Sequence, residues 1–120
     1  MRFTTLHIVL GFCSMLVACG GAALPTEQLT TAKASMAAAE VAGAPDEPAA
    51  ALMLKHARDQ IEQAEKLIAE EEYEPADWLL RRAAVDANLA LALAEEAATA
   101  QAALKAKQDL EKLKKELSEE

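Results

Sequence analysis

The chain has 120 residues, 52% hydrophobic and only 3% aromatic, with a formal net charge of −8. That length holds one small domain and excludes a large α/β enzyme. Alanine supplies 28 of the 102 residues from Cys19 onward and no glycine follows Gly43, so the sequence has no Gly-rich phosphate loop, Asn-Gly hairpin turn or nucleophile elbow.

Taken in chain order, Met1 and Arg2 precede an apolar run from Phe3 to Ala18, 16 residues long. A membrane-crossing helix needs roughly 20 residues, so the run reads as the core of a signal peptide, residues 1–18. Leu16-Val17-Ala18-Cys19 resembles the bacterial lipobox, in which a cysteine is lipidated on sulfur and becomes the mature N-terminus; the plainer alternative is a cysteine at the end of an ordinary secretory signal. Cys13 would be removed and Cys19 consumed by lipid, leaving no thiol for a disulfide. Lipid chains on Cys19 anchor a protein on a membrane face without crossing it. Gly20 stands where lipoproteins retained in the inner membrane carry aspartate. The expected location is the periplasmic face of the outer membrane.

Without Arg2 the mature chain has 11 basic and 20 acidic residues, a net charge of −9, which repels nucleic acid and anionic headgroups. Residues 19–26 form a lipidated linker. A first helix is expected from about Glu27 to Ala42, with Thr26 as N-cap and Leu29, Ala32, Met36 and Ala39 as its apolar stripe. Gly43-Ala44-Pro45-Asp46-Glu47-Pro48 ends it, with Asp46 as a capping residue for the next helix.

The second helix, about Pro48 to Glu71, places Ala50, Leu54, Ala57, Ile61, Ala64 and Ile68 on one narrow face. Pro75 suits the first position of a third helix and holds Glu74 outside it. That third helix continues to about Leu117, roughly 65 Å. Ala83, Ala87, Ala90, Ala94, Ala97, Gln101 and Leu104 form its contact line, widened by Leu80, Ala84 and Leu91 on one flank and by Trp78, Leu89 and Leu93 on the other. So broad an arc needs two neighbours. The spacing predicts a three-helix up-down bundle over residues 27–98, a helical hairpin plus a shorter N-terminal helix. From Ala98 the stripe changes phase to Ala103, Ala106, Leu110, Leu113 and Leu117, about 160° around the helix, so residues 99–120 project as a coiled-coil-like helix.

Chemistry-bearing residues are few. His56 is the one mature histidine and reads as a half-buried boundary residue at the edge of the second stripe. Ser35 and Ser118 are the mature serines, and neither a His-based triad nor a His/Cys metal site can be assembled. Glu70, Glu71, Glu72, Glu74 and Asp77 could attract a divalent cation but lack calcium-loop spacing; acids at a helix N-terminus complement its dipole. Tyr73 and Trp78 read as a pin for the hairpin, or as a docking pair or membrane-interface anchor. No catalytic residue, cofactor or metal is expected.

The stretch from Ala64-Glu65-Lys66-Leu67 through Glu72-Tyr73-Glu74-Pro75-Ala76 to Ala83-Ala84-Val85-Asp86-Ala87 resembles a tetratricopeptide-like helix-turn-helix, with one hairpin where that architecture needs about three. Over the mature chain, the lipobox, the break at Gly43-Ala44, the acidic-Tyr turn Glu71-Glu72-Tyr73-Glu74 and Asp86-Ala87-Asn88-Leu89-Ala90 resemble the bacterial lipoproteins built around domain of unknown function 4398. The resemblance implies an envelope location and carries no catalytic residues. A glycine usual at the turn is replaced by Glu70 or Glu71. Braun-type murein lipoproteins end in a lysine joined to peptidoglycan; this chain ends Ser118-Glu119-Glu120, and attachment by that route is not expected.

These residues point to a non-enzymatic, lipid-anchored structural or adaptor protein. Its docking candidates are Leu110, Leu113 and Leu117, for a protein partner or a second copy, with Trp78, Leu89 and Leu93 as a flank that could instead bind a peptide or other ligand.

Overall fold

Three α-helices and one 3-10 turn account for nearly all of residues 22–119, the part of the chain described by the computed structural model: α1 (Thr26–Val41), the turn (Ala44–Asp46), α2 (Pro48–Ala69) and α3 (Tyr73–Ser118). The signal segment 1–18, the lipobox Leu16-Val17-Ala18 and Cys19 lie outside the described residues.

The helix ends correct the expected capping. Thr26 does not cap α1 but is its first residue: Pro25 precedes the helix, buried, and its carbonyl accepts the Leu29 N–H at 3.0 Å. Asp46 likewise lies within the 3-10 turn, and extended Glu47 leads into α2 with no side-chain cap. Pro48 opens α2 and Pro45 is the second residue of the turn, places where the missing N–H would have had no intrahelical partner. Between α1 and the turn, Gly43 takes φ 91°, the left-handed conformation that favours glycine, and Ala44 behind it is fully buried.

At the second break a non-glycine residue makes the equivalent turn. Glu71 has φ 62°; its N–H bonds to the Ile68 carbonyl at 3.1 Å and the Glu72 N–H reaches the Leu67 carbonyl at 2.9 Å. This is the Schellman pairing, which satisfies the last carbonyls of α2 at the expense of a left-handed glutamate. With the chain reversed so early, α3 begins at Tyr73. Pro75 is therefore its third residue, not its first, and Glu74 is helical. The first turn tolerates this proline because an N–H there lacks an intrahelical acceptor in any case.

Pairings fix the topology. Lys33–Glu65 at 2.6 Å and Arg58–Glu40 at 2.7 Å run α2 antiparallel to α1, and the Gln60 amide donates to the Asp86 carboxylate at 2.6 Å between α2 and α3. Helix α3 is central, packing on α2 first and α1 second, while α1 and α2 touch least.

Among the described residues fourteen core side chains are buried besides Pro25, and only Leu54, Ile61 and Leu80 of the fourteen are larger than alanine. One cluster, at the α2–α3 hairpin end, gathers Ala32, Ile61, Ala64, Ala76, Leu80 and Ala83; the other joins Ala39, Ala44, Ala50, Leu54, Ala90 and Ala94 beside the α1–α2 connection. Methyl-on-methyl contact lets helix axes approach to about 8 Å. Beyond Ala97 no residue of α3 is even partly buried, so the helix projects past the bundle at the α1–α2 end, as its length and change of phase predicted.

Two measurements of urea unfolding check this account. Glu71→Gly removes the left-handed penalty and raises stability by about 0.5–1 kcal/mol. Leu80→Ala, at the one large side chain fully withdrawn from solvent, lowers it by about 3 kcal/mol.

Candidate docking surface on the third helix

Because α1 and α2 cover the alanine side of α3, the opposite side faces solvent along its whole length. Trp78 and Val85 are exposed, as are Leu110, Leu113 and Leu117, while Leu89 is 46% exposed. Projected at 100° per residue, Leu89 falls about 20° from Trp78 and Val85 about 20° to its other side, so the three form one strip. The predicted flank therefore divides. Trp78 and Leu89 stay open, but Leu93 turns toward the bundle and packs on the cluster containing Leu54 and Ala90. Leu104, expected on the bundle contact line, is 58% exposed because no second helix accompanies it that far.

Val85 was missed at the sequence level. Its signal is a spacing of seven from Trp78, hidden because the core line of alanines has the same spacing.

Shallow grooves with mixed polar and apolar linings lie elsewhere on the surface. A groove of about 380 Å³ between α1 and α3 is lined by Glu27, Gln28, Thr31, Leu80, Arg81 and Ala84. Another, of about 260 Å³, lies at the hairpin end beside Leu24, Pro25, Gln28, Tyr73, Glu74 and Asp77. Near both, the Arg81 guanidinium donates to Asp77 at 2.6 Å, and this bond holds Arg81 above its ordinary range. On α2, a hydrogen bond from Lys55 holds the Asp59 carboxyl below its ordinary range. Both pairs join residues four apart on one helix. Such pairs stiffen the surface and build no acid–base machinery.

His56 is exposed, not half-buried. It stands about 120° from the centre of the α2 stripe, and α1 leans on α3 instead of covering that side. Tyr73 is half-buried at the hairpin while Trp78, five residues on, stands out from it, so the two do not form a joint pin. Among the described residues no group of three His, Cys, Asp or Glu side chains could hold a metal ion, the acidic hairpin included. No described helix is long and apolar enough to cross a membrane. Gln60 Oε1 is the one buried side-chain polar atom among the described residues left without a partner.

The class defined by these features is an all-α protein: a small alanine-packed bundle whose central helix continues outward with an exposed apolar face. Within that class, residues 27–107 match the family described as domain of unknown function (DUF4398), and the chain belongs to it. The matched stretch takes in the bundle and stops short of Leu110, Leu113 and Leu117. No curated protein and no solved structure matches the chain.

Trp78 at 68% exposure sets a direct test of the divided flank. Acrylamide quenches its fluorescence about as readily as that of free tryptophan, and Trp78→Ala shifts stability by no more than about 0.5 kcal/mol. A shielded tryptophan, or a loss of several kcal/mol, would mean that a neighbour covers this face.

Proposed function

We propose that this protein is a non-enzymatic, lipid-anchored element of the bacterial cell envelope, held by Cys19 at the periplasmic face of the outer membrane and acting as a structural or adaptor piece through the exposed face of α3. The observation that carries the reading is the separation of the two ends. Leu24 and Pro25, a few residues after Cys19, line one groove with Tyr73 and Glu74 at the hairpin, whereas Leu110 to Leu117 lie near the far end of a helix of 46 residues.

The five residue steps from Cys19 to Leu24 span at most about 18 Å. A lipid at Cys19 therefore holds the hairpin end close to the membrane. From Tyr73 to Leu110, at 1.5 Å per residue, the helix carries its leucines about 55 Å away from that level. This is the geometry of a spacer presenting a contact surface at a distance. The thin core and shallow grooves support the non-enzymatic part, since convergent catalytic groups need a concave site to hold them.

A second reading, a tetratricopeptide-like module that binds a peptide or other ligand, draws on exposed Trp78 and Leu89. The single hairpin makes it the weaker of the two.

Cell fractionation with metabolic palmitate labelling tests the anchor. The wild-type chain takes up label and sediments with outer membranes. Cys19→Ala loses the label and no longer sediments with outer membranes. A wild-type chain that takes up no label, or a variant still found in the outer membrane, would remove the lipid from the proposal.

A further inference from the structure

The open side of α3 follows one strict frame of seven. Leu117, Leu110 and Ala103 occupy one position of it and Leu113 and Ala106 another, in alternating steps of four and three. The same frame runs back through Ala92, Leu89, Val85 and Trp78, interrupted at Thr99, Glu96 and Arg82. A stripe that keeps a 3.5-residue period along a helix is matched by a second helix wound around it in a left-handed supercoil.

Charges beside the tail stripe say what that second helix is. The flank preceding the Leu110 and Leu117 position carries Asp109 and Glu116; the flank following the Ala106 and Leu113 position carries Lys107 and Lys114. One edge of the stripe is therefore acidic and the other basic. In a parallel, in-register pair of identical helices each edge meets the opposite edge of its partner, and Asp109 faces Lys114 of the second copy in both directions. In either antiparallel register like meets like: Asp109 faces an acid and Lys107 a lysine of the second copy. Neither Asp109 nor Lys114 has an ion-pair partner among the described residues, so both are available to such a contact.

We infer that the tail of α3 is a parallel, in-register homodimeric coiled coil from about Ala100 to Ser118, with a second copy of this chain as its occupant. Glu96 sets its inner limit, since two identical carboxylates would face each other in the seam. The apolar contact spans only about four turns, so association in free solution is weak. This inference rests on the docking role proposed for the tail and agrees with the anchor: parallel pairing puts both Cys19 residues at one end, on one membrane, where shared attachment raises the local concentration of tails.

Disulfide trapping in the full chain, with wild type as background control, reads the geometry. Leu113→Cys cross-links to itself in isolated membranes on oxidation, while Gln108→Cys, on the outer side of the same helix, does not. By sedimentation equilibrium of the full chain in detergent, Asp109→Lys weakens association about tenfold and the exchange Asp109→Lys with Lys114→Asp restores it. Glu96→Leu, which extends the seam, tightens association about tenfold. Cross-linking of Leu113→Cys only to Leu110→Cys would indicate antiparallel pairing and overturn the inference. So would a chain that stays monomeric at high concentration with its tail helical; that result leaves the docking role standing with a different occupant. A monomer whose tail is unfolded, in membranes as in detergent, removes both.

Discussion

Contact between alanine methyl groups is the interaction on which this fold depends. Eleven of the fourteen buried core side chains among the described residues are alanine, and a methyl group offers little area, so each contributes only a fraction of what a buried leucine does. What alanine supplies is proximity and economy. Helix axes come close enough for backbone atoms themselves to make dispersion contacts, and alanine loses no side-chain entropy on becoming helical. The few large side chains then act as spacers between methyl layers: Ile61 and Leu80 in one cluster, Leu54 in the other. Such a core leaves no room for a deep cavity. The apolar side chains left open to solvent, Trp78 and Leu110 among them, stand on the outside of the helices.

A thin core also makes the connections matter. Both turns pass through a left-handed residue, Gly43 in the first and Glu71 in the second. Glycine meets this demand without strain, and no heavy atom lies within 4 Å of where its Cβ would be, so the constraint at position 43 is conformational alone. Glu71 makes the same turn with a side chain that disfavours it, held there by the two hydrogen bonds to Leu67 and Ile68. The motif Asp86-Ala87-Asn88-Leu89-Ala90 has a comparable physical content: Asp86 accepts the Gln60 amide, and Ala87 and Ala90 are fully buried against the bundle. Exposed ion pairs such as Arg58–Glu40 add little energy but set which side of α2 faces α1.

Helix number, order and the position of both breaks were legible because glycine and proline punctuate the chain and α2 carries an unambiguous stripe. Finer features depend on atoms that spacing does not encode. Pro75 reads as a first residue until the Schellman pairing shows that the helix has already begun at Tyr73. By spacing His56 borders a covered face, but α1 leans on α3 instead of sitting evenly between its neighbours. Thr26 and Asp46 have the chemistry of caps, but Thr26 is already the first residue of α1 and Asp46 lies within the 3-10 turn before α2. The outward strip was only half visible, for alanine is equally at home in a tight contact and in solvent: Ala90 and Ala103 look alike in the sequence, yet one is fully buried and the other exposed.

Both sides of α3 keep the same seven-residue period, one filled by α1 and α2 and the other open. Around Ala98 the inner line loses its neighbours while the outer line gains leucines, so the side best suited to contact changes along a single uninterrupted helix. Past that point helicity must be sustained without the bundle. Two pairs four residues apart, Lys112–Glu116 at 4.0 Å and Lys115–Glu119 at 3.9 Å, contribute at most a few tenths of a kcal/mol each. An isolated helix of about 20 residues is marginal in water on those terms, so the tail belongs to the least stable part of the fold. Any helix that covers Leu110, Leu113 and Leu117 therefore both binds the tail and completes its folding. Part of the contact energy is used to order the tail, and that cost weakens any such contact.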